Sequence, residues 1–146
     1  MPDTNWKKIT ERCPHVSYAV YRIAFAKAID PFQSVPIPRF LGTDEQGILS
    51  IGMSRQMERR RTNFVNGPHS EGILYRILQK YCRISEVFPD VICVYSYTPM
   101  ETEEAAISLE RHSIKKYLMR FGEVPPLNSA IPDRYNYDEW DELFAT

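Results

Sequence analysis

Nowhere in the chain do about 18 apolar residues follow one another, the length a helix needs to cross a bilayer, and residues 1–8 hold no apolar run of signal-peptide length. The expectation is a chain with neither a spanning helix nor a secretory leader. Cysteine is scarce. Cys13, Cys82 and Cys93 are three in number, form no C-x-x-C pair and have no His or Cys at zinc-ligand spacing, which predicts no structural zinc and a reducing, cytoplasmic setting. Net charge is nearly absent too, −1 over 146 residues, but the balance is local rather than uniform. Asp133, Asp138, Glu139, Asp141 and Glu142 gather at the C-terminus, while Arg55, Arg59, Arg60 and Arg61 cluster centrally. A near-neutral chain can still present one basic face to nucleic acid, because phosphate contacts and counterion release are local events; the alternative is a solvated helix face. Repeats and low-complexity segments are missing. The length predicts one domain, with a core over about 15–128 and an acidic extension over 129–146.

Residues 16–25 alternate, with Ala19, Tyr21, Ile23 and Phe25 on one face and Val20 and Arg22 opposite, which predicts a strand. Pro31, Pro36, Pro38 and Gly42 make 27–46 a long loop, of the kind that often carries function, and Arg39 within it is a candidate phosphate contact. Residues 47–52 read as a second strand. Ser54 then offers a cap for a helix to about residue 63, and Ser70 a cap for another in which Ile73, Leu74, Ile77, Leu78 and Tyr81 keep helical spacing as ordinary core. Residues 91–97 form a third strand. Thr98, Pro99 and Glu101 predict the start of a last long helix, with Gly122, Pro125 and Pro126 ending it. A short helix over 138–144 would dock Trp140, Leu143 and Phe144. The order is that of an α+β domain, a small sheet with helices packed on it.

Two residues violate this pattern. Ile107, Glu110, Ile114, Tyr117 and Phe121 share one helical face, so Glu110 places a carboxylate where a core-facing side chain belongs, and burying it unpaired would cost several kcal/mol, roughly. Met57, Arg60, Arg61 and Phe64 put an arginine on a buried face by the same spacing. A buried acid and a buried base are candidates for a site, with Glu110 as metal ligand or catalytic acid; a packing salt bridge between them is the alternative.

With these residues in view the chain resembles the GIY-YIG nuclease superfamily over roughly 18–128. Ala19-Val20-Tyr21 stands in the place of the first signature tripeptide and Ser50-Ile51-Gly52 in that of the second. Arg60 lies ten positions beyond Ser50, where the family keeps its catalytic arginine, and Glu110 falls where it keeps its metal-binding glutamate. Pro125-Pro126-Leu127-Asn128 resembles the closing motif. The resemblance implies a three-stranded antiparallel sheet flanked by helices, and a DNA endonuclease dependent on one Mg²⁺, or another divalent cation such as Mn²⁺. Glu110 would hold the metal, Arg60 would bind the scissile phosphate, and Tyr21 would take or relay the proton of the attacking water, its phenol lowered by nearby cations. The chain departs from the family at Ser50, which replaces the second signature tyrosine, and at Phe64, where many members have His or Tyr. Ser50 can still position a water, and His69 is the candidate substitute proton shuttle. Arg55, Arg59 and Arg61 would meet DNA on the basic helix. The rival reading is a nucleic-acid-binding module of the same fold with impaired catalysis. Double-strand cuts from one site per chain would call for a homodimer or two sequential nicks.

Overall fold

The structure is a computed structural model that describes residues 5–29 and 31–128. Two residues, β1 (Lys7–Lys8), precede the alternating run, which becomes β2 (Ala19–Lys27). The proline-bearing stretch is not structureless: it holds β3 (Gln33–Ser34) and a small hairpin of β4 (Ile37–Arg39) and β5 (Gly42–Asp44). β6 (Ile48–Ser54) leads into α1 (Met57–Asn66) and α2 (Ser70–Lys80). A single turn, α3 (Ile84–Val87), precedes β7 (Val91–Pro99) and α4 (Glu103–Phe121). The α+β class expected from the sequence is the one observed.

β2 is central. It pairs antiparallel with β7 along its whole length and with β6 from Ala19↔Ser54 to Ala24↔Ile48. The sheet has five strands rather than three, because β1 adds outside β7 and β3 pairs with the far end of β2. Both additions are polar two-residue segments with no alternation to announce them, and β1 brings the chain ahead of residue 15 into the body.

Alternation along β2 separates two cores. Tyr21, Ile23 and Phe25 pack with Met57, Phe64, Tyr75 and Leu78 of the α1–α2 layer, whereas Val20, Ala24 and Ala26 pack with Ala106, Ile114, Tyr117 and Phe121 of α4. The register slips by one residue where Ile23 pairs with Ser50 and Ala24 with Ile48, leaving Leu49 unpaired. This bulge puts two consecutive side chains, Leu49 and Ser50, on the α1–α2 side. The carbonyl that Leu49 cannot use in the ladder accepts from Leu127 N at 2.8 Å, and the Asn128 side chain both donates to and accepts from the Ile51 peptide, at 2.8 and 3.0 Å.

Several local expectations are corrected. Ser54 ends the strand instead of capping a helix, and the caps of α1 and α2 are Gln56 and His69. The last cap is not Thr98, which β7 absorbs, but Thr102, whose hydroxyl accepts from Ala105 N at 3.1 Å. Gly122 does end α4, in the left-handed region at φ 75°. The apolar stripe of α2 is core only in part: Ile73, Leu74, Ile77 and Tyr81 are exposed, while Leu78 of the stripe and Tyr75 beside it face inward. The short helix expected at 138–144 and the acidic extension lie outside the described residues. Among the described residues Cys13, Cys82 and Cys93 are free thiols, and no helix is long and apolar enough to cross a membrane.

Candidate functional site

Tyr21 is the third residue of β2, with Gly52 and Tyr97 as its cross-strand neighbours. A Cβ on Gly52 would lie 2.3 Å from the Tyr21 hydroxyl oxygen, so the last residue of the second tripeptide must be glycine for the phenol to lie across the strand. Its hydroxyl donates to Oε1 of Glu71, and Ser50 donates to Oε2 of the same carboxylate. Glu71 is in the first turn of α2 with its side chain 7% exposed. The turn comes this close because Gly72 has no side chain: a Cβ there would lie 2.4 Å from the Phe64 carbonyl oxygen of α1.

Arg60 reaches over this network from α1. Its guanidinium carbon lies 5.8 Å from the centre of the Tyr21 ring, Nη2 donates to the Met53 carbonyl at 3.2 Å, and Nη1 donates to Nε2 of His69. That bond fixes the imidazole with its proton on Nδ1, which is buried, 3.6 Å from Glu71 Oε1, and makes no hydrogen bond among the described residues. Glu110 closes the cluster from α4. Its carboxylate takes the Met53 amide and feels the charges of Arg60, Arg111 and Glu71, so the two peptide groups of Met53 serve Arg60 on one side and Glu110 on the other.

Electrostatics assign the protonation states. Burial first, and then the Glu71 carboxylate, push the Tyr21 phenol well above its ordinary range, and Arg60 only partly opposes them. The lowering expected from nearby cations is therefore outweighed, and Tyr21 is a neutral phenol at neutral pH. Burial and the Arg60 charge push His69 below its ordinary range against the pull of Glu71, which keeps it neutral and able to accept from Arg60. Burial also raises Glu110, against the Met53 amide, Arg60 and Arg111.

Tyr21, Ser50, Arg60, His69 and Glu110 thus come together, and Glu71 joins them although spacing along the chain did not single it out. The signal for Glu71 was faint: an acid directly after a helix cap is ordinary macrodipole placement, and only the fold shows the carboxylate turned inward. Of the basic residues, Arg59 is exposed on α1 and Arg55 is exposed but bound to Glu103 at 2.6 Å. Arg61 turns into the body, bidentate to Glu58 at 2.7 Å and donating to the Ile9 carbonyl, because it shares the buried face of Met57 and Phe64. Arg39 is held by Glu123 and the Val124 carbonyl at the far end of α4. Arg39 and Arg61 are committed to these partners, and Arg55 to Glu103, whereas Arg59 is exposed on the same helix as Arg60.

No group of three or more His, Cys, Asp or Glu side chains that could hold a metal ion occurs among the described residues. Mg²⁺ asks for only one or two protein carboxylates and keeps several of its waters, a demand that Glu110 could meet without such a group. No protein-family model, curated protein or solved structure matches the chain.

Proposed function

We propose that the protein is a metal-dependent endonuclease that hydrolyses phosphodiester bonds in DNA, with the site plan of the GIY-YIG nucleases. One observation carries the reading: Arg60 lies between the buried phenol of Tyr21 and the half-buried carboxylate of Glu110, residues from three separate elements. A packing arrangement has little use for a carboxylate and an arginine at such a place, since apolar residues of similar volume would serve at no loss of stability.

Glu110 would hold the Mg²⁺, which when bound supplies charge to stabilise the leaving oxygen. Arg60 keeps N–H groups beyond those given to Met53 and His69, and a planar fork of donors matches phosphate oxygens and stabilises the charge-dense transition state. His69 holds one arm of that fork and so sets its direction. Arg59 and Arg55 would contact the flanking backbone, which positions DNA without reading its sequence. Cutting both strands with one site per chain would use a homodimer or two successive nicks.

The second reading, a binding module of the same fold, is favoured by one observation, a neutral Tyr21 phenol that shares Glu71 with a serine. Supercoiled plasmid with Mg²⁺ separates the two. The endonuclease nicks or linearises it, and Glu110→Ala or Arg60→Ala lowers the rate by about 100-fold or more. Salt-sensitive binding with no cleavage by the wild-type protein would leave the module.

A further inference from the structure

Tyr21 and Ser50 each spend their single hydroxyl proton on Glu71. Their oxygens keep lone pairs that can accept from water, and a phenol so placed can receive a proton only by passing its own onward. The carboxylate receiving it is buried and takes one hydroxyl on each of its oxygens. We propose that Glu71 is the terminal proton acceptor of the hydrolytic step, reached through the hydroxyl of Tyr21; this rests on the endonuclease reading above and names the base that reading lacks.

The step balances without any redox partner. A water hydrogen-bonded to Tyr21 Oη attacks phosphorus, and its oxygen lone pair forms the new O–P bond as one of its O–H bonds breaks. That proton goes to Tyr21 Oη, and the proton Tyr21 held goes to Glu71 Oε1. The P–O bond to the leaving oxygen breaks heterolytically, and the oxygen takes the electron pair and then a proton from solvent water. Tyr21 ends as it began, and Glu71 returns its proton to solvent between turnovers. Ser50 is a positioning residue that anchors Oε2 so that Oε1 faces the phenol. The charged and titratable groups around Glu71 are Tyr21 from β2, Arg60 from α1, His69 from its own helix cap and Glu110 from α4. A relay of this kind makes a signature tyrosine at position 50 dispensable, since a serine can hold the carboxylate that does the work.

The test is single-turnover plasmid cleavage with Mg²⁺ over about pH 5 to 9, for the wild type, Glu71→Gln, Tyr21→Phe and the double variant, with DNA affinity measured separately in Ca²⁺. Glutamine keeps the volume and can accept from one hydroxyl while donating to the other, yet it cannot take a proton. The expected result is a loss of about 100-fold or more in rate for Glu71→Gln with affinity kept, a pH–rate profile whose shape differs from that of the wild type, and a double variant no slower than the slower single one. If Glu71→Gln does not fold, Glu71→Asp carries the test: the profile keeps the wild-type shape while the rate drops about tenfold or more as the carboxylate withdraws by one methylene. A rate within a few-fold of wild type in the variant that folds, or additive losses in the double variant, would overturn Glu71 as acceptor and leave the endonuclease standing. A wild-type protein that binds plasmid without cutting it overturns both.

Discussion

At the scale of single residues, neighbours in sequence have parted company. Arg60 and Arg61 are adjacent, but Arg60 leans across Tyr21 while Arg61 is sealed against Glu58 and the Ile9 carbonyl. Arg61→Ala leaves Glu58 without its bidentate partner and the Ile9 carbonyl unsatisfied, and the expected loss is about 2 kcal/mol in denaturant unfolding, discounted because Glu58 remains partly exposed. The slope of DNA affinity against salt should not change in that variant, whereas Arg59→Ala should make it shallower by about one unit. Glu58 also predicts an acid limb of stability. The hydrogen bonds from Arg61 hold its carboxyl down at about 2, against an ordinary 4.5. A depressed acid stabilises the fold fully above about pH 4.5 and loses that contribution as pH falls through about 2. Thermal melts from pH 5 downward should therefore decline less steeply in Glu58→Gln than in the wild type.

At the scale of elements, two glycines place the site. Gly52→Ala would drive a methyl into the Tyr21 ring; the side chain must rotate away from Glu71, so cleavage should fall by about 100-fold or more while the melting temperature drops only by a few degrees, roughly. Gly72→Ala meets the Phe64 backbone carbonyl instead, which cannot swing aside, and should cost about 2 kcal/mol or more by forcing α1 and α2 apart. Much of this was legible in the chain. The three long strands and three long helices follow from periodicity, as does the stripe of α4 that carries Glu110. What was not legible follows physical lines: Thr98 and Thr102 are equally good caps in isolation, and pairing with Val20 draws Thr98 into the sheet. The apolar spacing of α2 has more hydrophobic positions than the sheet has face to receive them. Glu71 was missed because its partners, Tyr21 and Ser50, lie 50 and 21 residues away, and nothing local distinguishes an inward acid from a solvated one.

At the scale of the whole molecule, a sheet covered on both faces leaves its edges as the exposed backbone. The apolar side chains of α2 that project outward contribute little to the fold, so Ile77→Glu should change unfolding free energy by no more than about 1 kcal/mol, a value that equilibrium urea titration can check. The segment after α4 has a different weight. Leu127 and Asn128 lie along the outer rim of β6 and occupy the Leu49 and Ile51 peptides, groups that would otherwise be available to any extended chain that drifted past. Leu127 and Asn128 therefore act as a guard rail: they cost no strand of their own, yet they deny copies of this protein a place to zip together, and Asn128→Ala should announce its loss first as light scattering in concentrated samples.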